Sequence, residues 1–352
     1  MTFVTSKKIV SIAFFGFFFI GMVSPIFGQS VPLEPSELQR SSNYTQYLQQ
    51  LEGAPQQMAL IRPEVLSLIH LLSNMESATD NQAKKFAANA IALELENSTM
   101  LVTSQPIILD AYSRLIDFSI SNEDFVKSVQ YADSVIRLYQ IQQFENSRSL
   151  WRVYMKRGIS RFRNGVNNPP RNIDWRRPSS ISFWVDALLD LRKARVLYGS
   201  PRQMNDPDYY GIVAWDLAVN AYVDSRQLVT SQIENEMTHN IINPSRAIVA
   251  TYWHNGAACG AYGRASPYVN LANYPAFATI KYGGAVGLYD LDATGVANNI
   301  RIVSIIPGNE LTQLATEAIA KARFPIDSEN VPELCKNNRI AVIKFGNRAG
   351  RN

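Results

Sequence analysis

Apolar positions recur with a helical period through the middle of the chain. In PIILDAYSRLIDFSI, Ile107, Ala111, Leu115 and Phe118 fall on one face. EDFVKSVQYADSVIRLYQI follows with Phe125, Val129, Ala132, Ile136 and Tyr139 in a stripe, and Asn122 stands as N-cap ahead of the first-turn acids Glu123 and Asp124. LWRVYMKRGISRFRNG predicts a further helix closed by Gly165. After a Pro- and Asn-rich loop, Val166 to Ser180, come FWVDALLDLRKARVLYG, stopped by Gly199, and YYGIVAWDLAVNAYVDSRQLV. The pattern predicts a helical domain over 58–242. Ahead of it, residues 29–57 are polar with Pro32, Pro35 and Pro55, and read as a linker with room for one amphipathic piece.

Asn243 and Pro244 end the helical period, and RAIVATYW (Arg246 to Trp253) reads as a strand or a buried linker. The domain boundary is placed between Asn243 and Gly256. Beyond it the period changes from 3.6 to 2. AVGLYDLD alternates Val286, Leu288 and Asp290 against Gly287, Tyr289 and Leu291; NNIRIVSII alternates Ile300 and Ile302 against Arg301, Val303 and Ile305. DATG between them is a hairpin turn in which Gly295 is free to take a positive φ. NELTQLATEAIAKARF carries Leu311, Leu314, Ala315, Ala318, Ile319 and Ala322 on one helical stripe, with Asn309 as cap and Pro325 as stop. RIAVIKFG, Arg339 to Gly346, is a last strand. The expected fold class is α+β: helical pairs, then a β-β-α-β unit over 256–348.

Two family resemblances follow from these residues. Helices of 15 to 20 residues arrive in pairs, with the small residues Ala111, Gly158, Ala187, Ala194 and Ala218 at crossing points. The spacings Trp151…Gly158…Phe162 and Trp184…Ala187…Leu191…Ala194 resemble tetratricopeptide-type repeats, although the long loop between those helices breaks the usual period. The C-terminal unit resembles the C-terminal domain of TonB-type energy transducers. Tyr274, Pro275 and Ala278 open it; Gly283, Gly284 and Gly287 precede and enter the first strand. Asp292 and Gly295 form the turn, Ser304 follows the second strand, and Ala322-Arg323-Phe324-Pro325 ends the helix. The resemblance covers Arg264 to Gly346. It departs from the family in three ways: Ala322 stands where the family carries Trp, a helical domain replaces the Pro/Lys-rich spacer, and the N-terminal apolar run lacks His.

The TonB resemblance implies a periplasmic protein-interaction module linked to TonB-dependent transport, whose partner is an outer-membrane receptor or another envelope protein. A receptor peptide would add itself to a sheet edge through main-chain hydrogen bonds. The implied partner-binding residues are Tyr274, Pro275, Arg339, Ile340, Val342 and Lys344. Alternatives are an exported helical-repeat scaffold that has lost energy coupling, and a cell-envelope enzyme.

The N-terminus sharpens the compartment. Lys7 and Lys8 precede an apolar run from Ile9 to Val23, Ser24 and Pro25 break it, and Gly28 precedes Gln29. Residues 1–28 read either as a cleaved signal peptide or as an uncleaved inner-membrane anchor, and both place the rest outside the cytoplasm of a Gram-negative cell. In an oxidising compartment the two cysteines, Cys259 and Cys335, are candidates for a disulfide that staples the two ends of the C-terminal unit, against the alternative of two unrelated buried thiols.

Composition removes other classes. The chain has 352 residues, 46% of them hydrophobic and 18% charged, so it can bury a core. The formal net charge is +4, and setting aside Lys7 and Lys8 brings it close to balance, which argues against nucleic acid as a partner. His70, His239 and His254 have no ligand neighbours at metal spacing, so neither a metal nor another cofactor is expected. GGAVG lacks the ending of a phosphate loop, and Asp290 and Asp292 fall on a solvated turn. No nucleophile–base pair is visible, and a non-enzyme is expected. The strongest charge bias, WRVYMKRGISRFRNGVNNPPRNIDWRR, sets Arg152, Lys156, Arg163, Arg171, Arg176 and Arg177 either toward an anionic partner or on a solvated helix face.

Overall fold

The computed structural model describes residues 43–97, 106–141, 144, 146–169, 182–203, 205–225, 268–277, 279–322 and 335–346. These form a mixed α+β structure: helices first, then a small four-stranded mixed sheet. The α-helices among the described residues are α1 (Tyr44–Glu52), α2 (Pro55–Met58), α3 (Pro63–Ser77), α4 (Asn81–Asn97), α5 (Pro106–Ser121), α6 (Phe125–Ile141), α7 (Trp151–Asn167), α8 (Ser182–Tyr198), α9 (Pro207–Ser225) and α10 (Thr312–Ala320). The strands are β1 (Tyr268–Asn270), β2 (Tyr282–Leu291), β3 (Ala297–Ile306) and β4 (Arg339–Gly346).

From α3 to α9 each helix packs on the next, and α3 also meets α5, α5 meets α7, and α7 meets α9. The predicted stripes are the buried ones: Ile107, Ala111 and Leu115 on α5, Phe125, Ala132, Ile136 and Tyr139 on α6. Small residues set the closest crossings. A Cβ on Gly158 would stand 2.9 Å from the Ala187 carbonyl oxygen, so α7 and α8 meet backbone to backbone. Gly199 ends α8 at φ +82, its N–H donating to the Arg195 carbonyl oxygen at 3.0 Å.

Three local expectations are corrected. Gly165 does not close α7, which runs on to Asn167; it is buried where a Cβ would meet the Trp184 ring at 3.1 Å. Asp124, not Asn122, caps α6: its carboxylate accepts from the Lys127 N–H at 3.1 Å, while Asn122 donates back to the Phe118 carbonyl oxygen. The amphipathic piece allowed for within 29–57 is α1, but its Tyr44, Tyr47 and Leu51 belong to the helical core and not to a linker.

The α7–α8 seam also carries buried charge. The Arg157 guanidinium forks onto the Asp190 carboxylate at 2.9 and 2.6 Å, and Arg161 adds a bond at 2.9 Å. Burial pushes the Asp190 carboxyl up, and the two guanidinium groups pull against that shift. Removing Asp190 would leave the Arg157 and Arg161 guanidinium groups to share Asp133 alone.

The sheet order is β1-β4-β2-β3, with β4 antiparallel to β2, β2 antiparallel to β3, and β1 parallel to β4. One face packs on α10 through Ala285, Tyr289, Ala341, Ile343 and Phe345 against Leu314, Ala315 and Ile319. The other face packs on the helical part, chiefly on α9. Val286, Ile340 and Val342 join the large helical core, and the Tyr282 ring stands edge-on to Phe162 at 4.6 Å. Gly284 makes this possible: a Cβ there would meet Ala218 N at 2.7 Å and Leu217 Cβ at 2.8 Å. The Cys335 side chain is buried and disulfide-bonded; Cys259 lies outside the described residues, as does RAIVATYW.

Candidate strand-docking site

β4 is built for pairing. It begins after Asn338, which takes φ +52, and its N-terminal approach is pinned by the Asn338 N–H donating to the Asp290 carboxylate at 2.6 Å. Its register with β2 is unbroken from Arg339 opposite Tyr289 to Gly346 opposite Tyr282. Alternation then divides its side chains: Arg339, Ala341, Ile343 and Phe345 are fully buried, while Ile340, Val342 and Lys344 are half-buried on the helix side.

Each end of the sheet presents an edge. On the outer side of β4, β1 pairs only at Lys344, Phe345 and Gly346 among the described residues. The stretch from Ile340 to Ile343 is backed by β2 without a break in register, and among the described residues β1 does not reach it. β3 forms the opposite edge, and there the register slips twice, between Val286 and Gly287 and between Leu288 and Asp290, with Asn299 at φ +47. Bulges of this kind twist an edge away from flat pairing. Of the two, the β4 edge is the better template.

The six residues expected to bind a partner do not converge on one patch. Arg339 is buried, donating to the Cys335 carbonyl oxygen at 2.8 Å and to the Tyr289 hydroxyl at 3.3 Å, so its side chain builds the fold. Ile340 and Val342 turn their side chains to the helices, which leaves only their backbone for an incoming strand. Lys344 sits between Tyr268 and Gly284. Tyr274 and Pro275 lie after β1 at the opposite end of β4 from Arg339, roughly 25 Å away along the strand. Tyr274 packs on the α10 side of the sheet, and Pro275 is exposed at the start of a short 3-10 turn, Pro275–Phe277.

The basic stretch on α7 finds partners within the fold. Arg152 meets Asp208 at 3.3 Å, and Lys156 donates to Asp117 and Ser113, each at 2.8 Å. The Arg163 guanidinium lies over the Phe125 ring and hydrogen-bonds Tyr282, whose hydroxyl burial pushes its pKa up. Arg171, Arg176 and Arg177 lie outside the described residues. Among the described residues no group of three His, Cys, Asp or Glu side chains could hold a metal ion, and no helix is long and apolar enough to cross a membrane. The Ile9–Val23 run, His239 and His254 are outside them.

Sequence reasoning missed β1 and the seating of the sheet on α9. The signal for the second was present: Gly283-Gly284 at the start of a strand, and Ala214 and Ala218 one turn apart on a helix. Comparison of the chain with protein-family models, curated proteins and solved structures found no match.

Proposed function

We propose that the protein is a protein-interaction scaffold of the Gram-negative cell envelope, in which tetratricopeptide-like helical repeats carry a TonB-like C-terminal sheet that captures a partner segment by strand addition. The observation that carries this reading is the register of β4, unbroken against β2 from Arg339 to Gly346 and matched by β1 at Lys344, Phe345 and Gly346 among the described residues. Packing of each helix from α3 to α9 on the next, and of α3 on α5, α5 on α7 and α7 on α9, supports the repeat reading. The sheet is seated on α9, and this favours a fixed scaffold over a transducer that must reach across the periplasm. The partner class is an outer-membrane receptor or another envelope protein offering an extended segment. The protein is not an enzyme in this reading, because an added strand is held by backbone groups alone.

Proline scanning tests it. Adjacent strand residues turn their N–H groups to opposite sides, so one of Val342 and Ile343 bonds outward. Proline at that position removes an outward donor and leaves the β2 ladder in place. Binding of a receptor-derived peptide should be lost in whichever of Val342→Pro and Ile343→Pro keeps the parent's circular dichroism, while Lys344→Ala should weaken it only slightly. Parent-like binding by that folded proline variant would reject the reading.

A further inference from the structure

One corner of the helical part gathers exposed apolar side chains among cations. α6 ends at Ile141, and the chain turns there toward α7. The Phe144 N–H donates to the Tyr139 carbonyl oxygen at 2.8 Å, and the Ser147 N–H to the Phe144 carbonyl oxygen at 2.8 Å, which ties the turn to a buried residue of α6. Held this way, Ile141 is 68% exposed and Phe144 56%. Lys193 of α8 clasps the same turn, its ammonium donating to the Asn146 side chain at 2.7 Å. Val196 lies three residues beyond Lys193, on the same face of α8, and is 60% exposed. Three large apolar side chains that the fold leaves in solvent thus belong to one corner, on two elements joined by a hydrogen bond.

The charge at this corner is mainly of one sign. Arg137 is exposed one turn before Ile141. Arg148 and Arg202 set their guanidinium groups over the Tyr198 ring at the end of α8, 5.8 and 5.5 Å from its centre. Lys193 is the fourth cation. Between Ser134 and Ile173 the sequence offers one acid, Glu145. The acids that follow Arg202 are engaged: Asp206 accepts from the Tyr198 hydroxyl and the Arg202 N–H, and Asp208 pairs with Arg152.

We propose that this corner is a contact surface for an anionic lipid bilayer, in which Ile141, Phe144 and Val196 enter the headgroup region while Arg137, Arg148, Lys193 and Arg202 meet lipid phosphates. The charge complementarity selects this occupant. Apolar tips with a cationic surround match a surface that is anionic outside and apolar a few ångströms deeper. Such a surface asks for no fitted groove, only for apolar groups that the fold holds out and cations beside them. The proposal is independent of the sheet edge: a bilayer would orient the helical part and leave β4 untouched.

Hydrogen exchange on the full chain with lipid vesicles is the test. It reads the corner itself, so attachment through the apolar run Ile9–Val23 cannot stand in for it. The amides of Ile141, Phe144, Asn146 and Arg148 should exchange about tenfold more slowly with phosphatidylglycerol vesicles than with phosphatidylcholine vesicles. The variant Phe144→Ser/Val196→Ser, with the circular dichroism of the parent, should lose that protection. Arg137→Gln should raise the phosphatidylglycerol concentration needed for half-protection about fivefold, and decides the point if the double variant fails to fold. Equal rates with the two lipids, parent-like protection in the folded double variant, or an unchanged half-protection concentration in Arg137→Gln overturns the proposal.

Discussion

Gly284 of β2 rests directly on Ala214 of α9: a Cβ on that glycine would fall inside the van der Waals limit of the Ala214 carbonyl oxygen. A strand backbone and a helix backbone here approach with no side chain between them. The obstacle to a larger residue is main chain on both sides, which cannot rotate away. Gly284→Ala should therefore destabilise the protein by about 3 kcal/mol or more. Gly211, in α9 itself, is the control, because its Cβ would meet only Met155 Cε at 3.7 Å. Gly211→Ala should stabilise by up to about 1 kcal/mol, from helix propensity. Urea unfolding of both variants measures the contrast; similar effects at the two sites would contradict the packing described.

The α10 face of the sheet makes a second prediction. Leu314 is 6% exposed and Ile319 fully buried. Leu314→Ala should cost about 2–5 kcal/mol as a core truncation. A midpoint in urea unchanged from the parent would mean that α10 does not carry the apolar face assigned to it.

The register of β1 on β4 bears on the cysteines. Tyr268 stands opposite Lys344, and Cys259 precedes Tyr268 by the same number of residues as Cys335 precedes Lys344. The bond held by Cys335 is expected to be to Cys259. Thiol titration of the denatured, unreduced chain should find no reactive group, and two after reduction. The closed loop is long, so the bond should contribute about 4 kcal/mol on chain-entropy grounds. Two free thiols before reduction would end the idea.

Asp206 supplies a pH-dependent term. Its carboxylate is buried, which by itself raises the pKa, but the Arg202 N–H at 2.8 Å, the Tyr198 hydroxyl at 2.7 Å and the Tyr209 N–H at 3.3 Å donate to it, and the net shift is downward. A carboxylate whose folded pKa is depressed gives stability that is present above its unfolded pKa and is lost as pH falls through the folded one. Asp206→Asn should remove part of the acid-side loss of stability and also weaken the start of α9. Tyr198, pushed up to about 12 by burial and by Asp206, should show no phenolate absorbance near pH 10 in the native protein. Melting curves at pH 3 to 7 for parent and Asp206→Asn check the first point; parallel curves would count against it.

Much of the fold was legible because local and tertiary demands agree. Ile107, Ala111 and Leu115 are spaced for a helix and are buried by one; Leu314 and Ile319 likewise face the sheet as their period requires. Gly199 was readable because only a positive φ explains a glycine after that stripe. Gly165 was misread because a glycine near the end of a periodic run signals a cap as well as a close approach, and Trp184, which decides between them, is distant in sequence. β1 was missed because three residues carry no period. The edge proposed for docking was read from strand order alone, and the side-chain roles of Arg339, Ile340 and Val342 depend on which layer covers each face. Only the packed structure supplies that information.

The position of β4 in the sheet also has a consequence for timing. β4 comes after β1, β2 and β3 in the chain, yet it lies between β1 and β2, and among the described residues it is the strand β1 pairs with. As the polypeptide emerges, β2 and β3 can form their hairpin early, but β1 has nothing to join until Lys344 to Gly346 have been made. During that interval the α9 surface that will receive the sheet, Ala214, Leu217 and Ala218, is only partly covered. A messenger cut short before Arg339 would thus give a chain with a bare hairpin, an orphaned β1 and an apolar helix face, a species that aggregates or is degraded instead of a protein lacking one strand.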